Sequence, residues 1–436
     1  LSCGIGDELP RQQFDTVALI SHPRHLDIHE STKASTLVVA CDWLARHDAL
    51  TRKFSAISIE EGLASPTSFK PSTIFSRSAD WMYENGSDIT LYRGISLGRK
   101  FSREVSLVIL EIEKIERCLS TIIDTFAPNT IAFHDVRSDQ SVLSIKQRMH
   151  IVHRIAEEKN VNIKSLPDAP TQSSPYWHEE AHYGSATRTK VDSQRLKLFI
   201  GDCINTFLII LTTVRSAFSR KPKFLFILTQ LNSLTLFDSA LPRPLIPCLF
   251  SDNFPLRRYP ARILSNLWRG FKILFPISVF DADSQTAKKS TLCHDVSLGL
   301  RSQTARTHPV LKSYIDEHLL QSGRLAELAV WVDAAVERIS NLDPATVYID
   351  SLQDKYSTSI AEIARIKKIP VVFNFHGQYV HNIDFDILGQ DHRFPASVDT
   401  VLSWGPATDM WIAKNANGLH WERLGRDVEK SARRKF

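Results

Sequence analysis

The sequence predicts an α/β protein made of two Rossmann-like domains, each built on a parallel sheet. Three observations predict it. The stretch 344–377, PATVYIDSLQDKYSTSIAEIARIKKIPVVFNFHG, reads as strand, polar loop, helix, strand, polar loop. Residues 128–166 repeat that plan: a proline, a strand ending in Asp, a helix with lysine at its end, and a second strand. Third, Ile369–Phe375 is an apolar run bounded by polar residues, the signature of a strand buried on both faces.

In chain order, Thr16–Ser21 is a short buried-type strand, followed by the polar loop His22-Pro23-Arg24-His25. A helix is expected over Thr32–His47, with Ser31 or Thr32 as its cap, and Phe54–Ile59 alternates as a second strand. Residues 62–78 are rich in Ser, Thr and Pro and read as a surface loop. The glycines and arginines of DITLYRGISLGRK (88–100) suit an anion-binding turn. Phe101–Phe126 is a long amphipathic helix ended by Pro128. Asn129–Asp135, a helix over Ser141–Lys159 and Val161–Leu166 complete the first half. Pro167–Gln194 reads as a linker or loop. Lys223–Leu228 opens the second half as a strand. The prolines of Leu241–Arg258 limit regular structure, Ile263–Leu274 is expected to be helical, and Asp281–Arg306 to be loop. Helices follow over Val310–Leu320 and Ser322–Ile339. Gln378–Ala396 reads as a polar loop, Val398–Trp404 as a strand and Pro406–Asn415 as a helix. The expected domains are 1–170, a linker with an apolar helix over 171–222, and 223–436.

The chain of 436 residues is long enough for two such cores, and its hydrophobic (43%) and charged (23%) fractions are ordinary for a globular protein. A net charge of +5 suits anionic ligands or an anionic membrane face. Without a dense Lys/Arg stripe interleaved with aromatics, nucleic acid is not expected as a partner. Six scattered cysteines, with no CxxC pair, point to a reduced, cytoplasmic compartment and no zinc site. Leu196–Val214 nearly reaches bilayer-spanning length, but Asp202 and Asn205 interrupt it. Its basic flanks (Arg195, Lys197, Arg215, Arg220, Lys221, Lys223) suit a peripheral contact at a membrane surface. Starting at Leu1 and stopping abruptly after Phe436, the sequence reads as a fragment or trimmed chain.

Ligands of open α/β sheets sit beyond the C-terminal strand ends, and the candidate residues are taken from there. Asp135, with His134 second, is the candidate general base; Arg137 follows as a phosphate or carboxylate grip. Capping of the next helix is the alternative role for that Asp. Asp350 holds the equivalent place in the second half. Asn374, His376 and Gly377 form a second cluster, glycine allowing close backbone approach to a ligand. Gly405, between a strand end and Pro406, offers a backbone amide to an anion or simply makes a turn. The dipeptides His22-Pro23 and His308-Pro309 suit either a nucleotide-phosphate loop or a helix start. Walker, GxSxG and HExxH motifs, GxGxxG after a strand and DxD in a metal-site context are all missing. Neither a metal nor a cofactor is therefore expected.

The order PATVYID, IPVVFNFHG, VDTVLSWG and Leu424-Gly425-Arg426 resembles the later part of the N-terminal domain of GT-B proteins. UDP-GlcNAc 2-epimerases and bacterial surface-carbohydrate transferases share it. DITLYRGISLGR with its following helix is similar to surface-polysaccharide glycosyltransferase-like proteins. The resemblance covers 88–168 and 344–426 and implies two Rossmann-like domains facing across a cleft. It further implies a nucleotide-sugar donor, a glycan or lipid-linked acceptor, and metal-independent transfer at the inner face of the cytoplasmic membrane. A sugar-nucleotide epimerase and a non-catalytic binding or scaffold protein are the alternatives. If 398–436 only begins a donor-binding domain, the second half is truncated.

Overall fold

The computed structural model describes residues 13–62, 71–134, 142–166, 221–227, 246–250, 272–274, 290–302, 307–351, 355–374, 398–403, 405–406, 409–410, 412 and 420–423. The chain divides into two compact units. The first takes Leu1–Trp81, Ser102–Tyr183 and Gln303–His318; the second takes Met82–Phe101, Gly184–Ser302 and Leu319–Phe436. Each is an α/β unit on an all-parallel main sheet.

The first unit holds strands β1 (Thr16–Ile20), β2 (Thr36–Ala40), β3 (Ser55–Ser58), β4 (Thr130–His134) and β5 (Asn162–Leu166) in the order β3-β2-β1-β4-β5. β1 pairs on both sides, Val17 with Leu37 and with Ile131. Chain progression reverses between β1 and β4, and that is the topological switch point. Ala18, Ile20, Val38, Ala40 and Ala132 pack with Leu26, Ala45, Ala49 and Phe54 in one buried cluster. Thr36–Ala40 corrects the helix expected over Thr32–His47. Its TLVVA run is buried throughout, and β-branched residues between two parallel neighbours favour the sheet. The helix starts later, over Trp43–Thr51, where the Asp42 carboxylate accepts the Leu44 N–H at 2.8 Å. A helix over Pro71–Asp80 likewise replaces part of the loop expected at 62–78.

Helix Ser102–Phe126 buries Val105, Val108, Ile109, Ile112, Leu119 and Ile122, the stripe expected from its spacing. Helix Ile145–Lys159 opens with a capping box: Ser144 accepts from the Gln147 N–H while the Gln147 side chain accepts from the Ser144 N–H. Asn160, at φ 55°, closes it in the left-handed region. Helix Pro309–Ile315 belongs to this unit and packs on both of these helices.

The second unit holds β6 (Lys223–Ile227), β7 (Ile246–Phe250), β8 (Lys272–Leu274), β9 (Thr346–Ile349), β10 (Val371–Asn374), β11 (Thr400–Ser403) and β12 (His420–Arg423). The order is β8-β7-β6-β9-β10-β11-β12, all parallel, with the switch between β6 and β9. Helices Arg324–Leu342 and Lys355–Ile366 flank β9 in sequence. Two expectations are corrected here. Lys272–Leu274 is strand, the second parallel neighbour of Ile246–Phe250 beside Lys223–Ile227. Ser290–Ser302 is helix, its Val296 fully buried.

Residues 88–100 are also corrected. They belong to two hairpins, Tyr83–Glu84 with Ser87–Asp88 and Leu91–Tyr92 with Ile95–Ser96. Asn85-Gly86 and Arg93-Gly94 have positive φ at both turn residues, as tight two-residue hairpins require. The basic groups are engaged within the protein: Arg93 with Asp333, Arg99 with Tyr83, and Lys100 with Glu362 at 2.6 Å. Among the described residues no helix is long and apolar enough to cross a membrane. The segment Leu196–Val214 lies outside the described residues.

Candidate functional site

The first switch point gathers histidines. β1 ends at Ile20, and the His22 Nδ1 then accepts the Arg24 N–H at 3.2 Å, capping the turn Pro23–His25. The helical turn Leu26–His29 follows directly, so His25 and His29, four residues apart, share a face. That face meets His134, the last residue of β4. The His25 ring stacks on His134 with centroids 4.3 Å apart and planes 5° from parallel. The His29 Nε2 lies 3.0 Å from the His134 Nε2, the rings nearly perpendicular. Relative exposures are 0% for His25, 5% for His29 and 2% for His134.

Burial sets the charge state. Desolvation, helped by His22, Arg24 and His29, pushes the His25 imidazole down to about 3. Desolvation, with Lys164 on β5 adding to it, also holds His29 below the ordinary imidazole value. Both rings are therefore neutral at neutral pH, each with one ring nitrogen left as a hydrogen-bond acceptor. Cys41, just past β2, is pushed up to about 11 by burial, despite the Arg148 charge nearby. It is a thiol, not a thiolate nucleophile. Arg148 itself is buried in the second turn of helix Ile145–Lys159, which starts on the same strand-end side of the sheet.

At the second switch point the Asp350 N–H donates to the Ile227 carbonyl at 3.2 Å, joining the ends of β9 and β6. Asp350 and Ser351 are buried. Asn374 ends the neighbouring β10 and is 1% exposed. Neither its Oδ1 nor its Nδ2 has a hydrogen-bond partner among the described residues. Such burial is costly for a carboxamide. One strand further, the Ser403 hydroxyl donates to the Asp409 carboxylate, which also holds Arg423. The Gly405 N–H donates to the Ser403 Oγ at 3.2 Å, so this amide serves a local turn.

Of the residues expected from the sequence, His134, Asp350, Asn374 and Gly405 all lie at strand ends. His134 is in the first unit and the other three are in the second. Asp135, Arg137, His376 and Gly377 lie outside the described residues. Sequence reasoning missed His25 and His29 as companions of His134. The signal available was the i, i+4 spacing of His25 and His29 straight after a strand. Both His-Pro dipeptides are capping devices: the His308 Nδ1 accepts the Val310 N–H at 3.2 Å, as His22 does for Arg24.

A small hollow in the first unit is lined only by helix and turn residues, including Arg77, Glu113, Glu116 and His308. Two of its carboxylates are paired, Glu113 with Arg77 and Arg117, and Glu116 with Arg154 and His308. Among the described residues no group of three or more His, Cys, Asp or Glu is arranged to hold a metal ion. No protein-family model, curated protein or solved structure matches this chain.

Proposed function

We propose that this chain is a GT-B-like glycosyltransferase that moves a sugar from a nucleotide-sugar donor to a glycan or lipid-linked acceptor. One observation carries the reading. Two doubly wound parallel sheets occur in one chain, each with polar side chains at its switch point. In this reading the second unit takes the donor, with Asp350 and Asn374 accepting and donating hydrogen bonds to its hydroxyls and amide edges. The first unit activates the acceptor: the Asp135 carboxylate or the His134 imidazole removes the hydroxyl proton as the anomeric carbon is attacked. Arg137, His376 and Gly377 steady the leaving nucleotide, and mild basicity and the flanks of Leu196–Val214 serve attachment at a membrane face.

The test begins with thermal stability in the presence of UDP, GDP, CDP, CMP and dTDP. One of them at a hundredfold excess over Kd raises stability by about 2.7 kcal/mol, and Asn374→Leu removes the shift. With the matching donor, His134→Phe lowers turnover by about 10²- to 10⁴-fold while the nucleotide shift stays. The reading is lost if no nucleotide shifts the melt, or if a bound donor is converted at the wild-type rate by His134→Phe and by Asp135→Asn alike. Epimerisation of the free donor without acceptor would identify an isomerase instead.

A further inference from the structure

We infer that His29 is a positioning residue for His134: the two imidazoles share one hydrogen between their Nε2 atoms, and this fixes which nitrogen of His134 carries its proton. The inference rests on the reading of His134 as a proton acceptor in catalysis, but its structural core stands without it.

Two neutral imidazoles in contact through Nε2 cannot both be protonated there, and neither can both be bare if the 3.0 Å contact is a hydrogen bond. One ring is the Nε2–H tautomer and the other the Nδ1–H tautomer. The tautomers of His29 and His134 are thus coupled, although the residues are 105 positions apart in sequence. The surroundings tighten the coupling. His25 lies flat against His134 and blocks rotation of that ring. Desolvation and the Lys164 charge on β5 hold His29 below the ordinary imidazole value, which opposes a second proton on that ring. With His134 as the Nε2–H donor, its unprotonated Nδ1 takes the acceptor's proton in turnover while Nε2–H goes on donating to the His29 Nε2, so the ring is held throughout the step.

A glutamine places its amide nitrogen and oxygen near the position of an imidazole Nε2, whereas leucine offers no polar atom. The experiment is nitrogen-15 NMR of the whole chain with labelled histidine. In the wild type, one of the two rings shows a protonated Nε2 and the other a bare Nε2. In His29→Leu the His134 signals move to a mixture of tautomers, and in His29→Gln they return to a single form. With donor and acceptor supplied, kcat falls about 10- to 100-fold in His29→Leu with KM unchanged, and His29→Gln recovers most of it. Wild-type spectra with both Nε2 atoms protonated, or both bare, overturn the inference even if His29→Leu does not fold. So do an unchanged His134 tautomer in a folded His29→Leu and a folded His29→Gln no better than leucine. A locked tautomer pair in a chain that turns over no donor overturns the transferase reading and leaves the pairing intact.

Discussion

His25 shows how far burial alone sets chemistry at a single residue. Its ring has no exposed surface, and its folded-state value near 3 lies below the ordinary 6.5. Above pH 6.5 both folded and unfolded chains hold it neutral, and its contribution to stability is complete. As pH falls from 6.5 toward 3 the unfolded chain binds a proton that the folded chain refuses, and stability drops by about 1.4 kcal/mol per pH unit. Urea unfolding between pH 7.5 and 5 reads this slope. His25→Phe keeps the stacked ring and shallows the slope; equal slopes in the two proteins would sink the assignment. At this scale the sequence made His134 legible, because a histidine closing an apolar β-branched run has a known place in an open sheet. It hid His25 and His29. Their meeting with His134 is a tertiary contact over more than a hundred residues, and no local pattern announces it.

Among the elements, the helix start at His308-Pro309 is legible and the second strand is not. The dipeptide His308-Pro309 opens helix Pro309–Ile315 by accepting the Val310 N–H on Nδ1, and its Nε2 meets Glu116 at 2.9 Å. His308→Ala loses the cap and costs about 1 kcal/mol. His308→Asn keeps an N-cap acceptor and costs less, although it gives up Glu116. Denaturant midpoints of the three proteins check the order, and an Asn variant as weak as the Ala variant would transfer the effect from the cap to the Glu116 pair. Strand Thr36–Ala40 was illegible for a physical reason. Threonine, valine and alanine fit either a short helix or a strand, and the decision comes from parallel partners on both sides, Thr16–Ile20 and Ser55–Ser58. The hairpins at 83–96 escaped for a similar reason. Their Arg-Gly turn imitates an anion loop, whereas Arg93 is held by Asp333 from helix Arg324–Leu342.

For the whole molecule, the two sheets were legible and the exchange of segments was not. A strand–helix–strand plan written twice announces two α/β units. No composition shift marks Gln303–His318, which lies beyond most of the second unit's early strands yet belongs to the first unit. Its Tyr314 hydroxyl hydrogen-bonds the Glu104 carboxylate at 2.9 Å, and His318 packs on the Tyr314 ring. A fragment ending at residue 183 therefore leaves part of helices Ser102–Phe126 and Ile145–Lys159 uncovered. It is expected to melt at lower temperature and with less cooperativity than the first unit does in the whole chain. Adding a peptide of residues 303–318 should raise its melting temperature. A fragment that melts as sharply without the peptide as with it would show that this segment does not complete the core.

The same exchange has a consequence on the ribosome. The segment that finishes the first unit is made about 120 residues after residue 183, and at 5–20 residues per second the interval is roughly 6–24 s. During that time the nascent chain carries a half-covered apolar surface outside the exit tunnel. Synonymous codons that speed elongation between 184 and 302 should shorten the window and raise the yield of native protein, which a comparison of folded yields from the two messages checks.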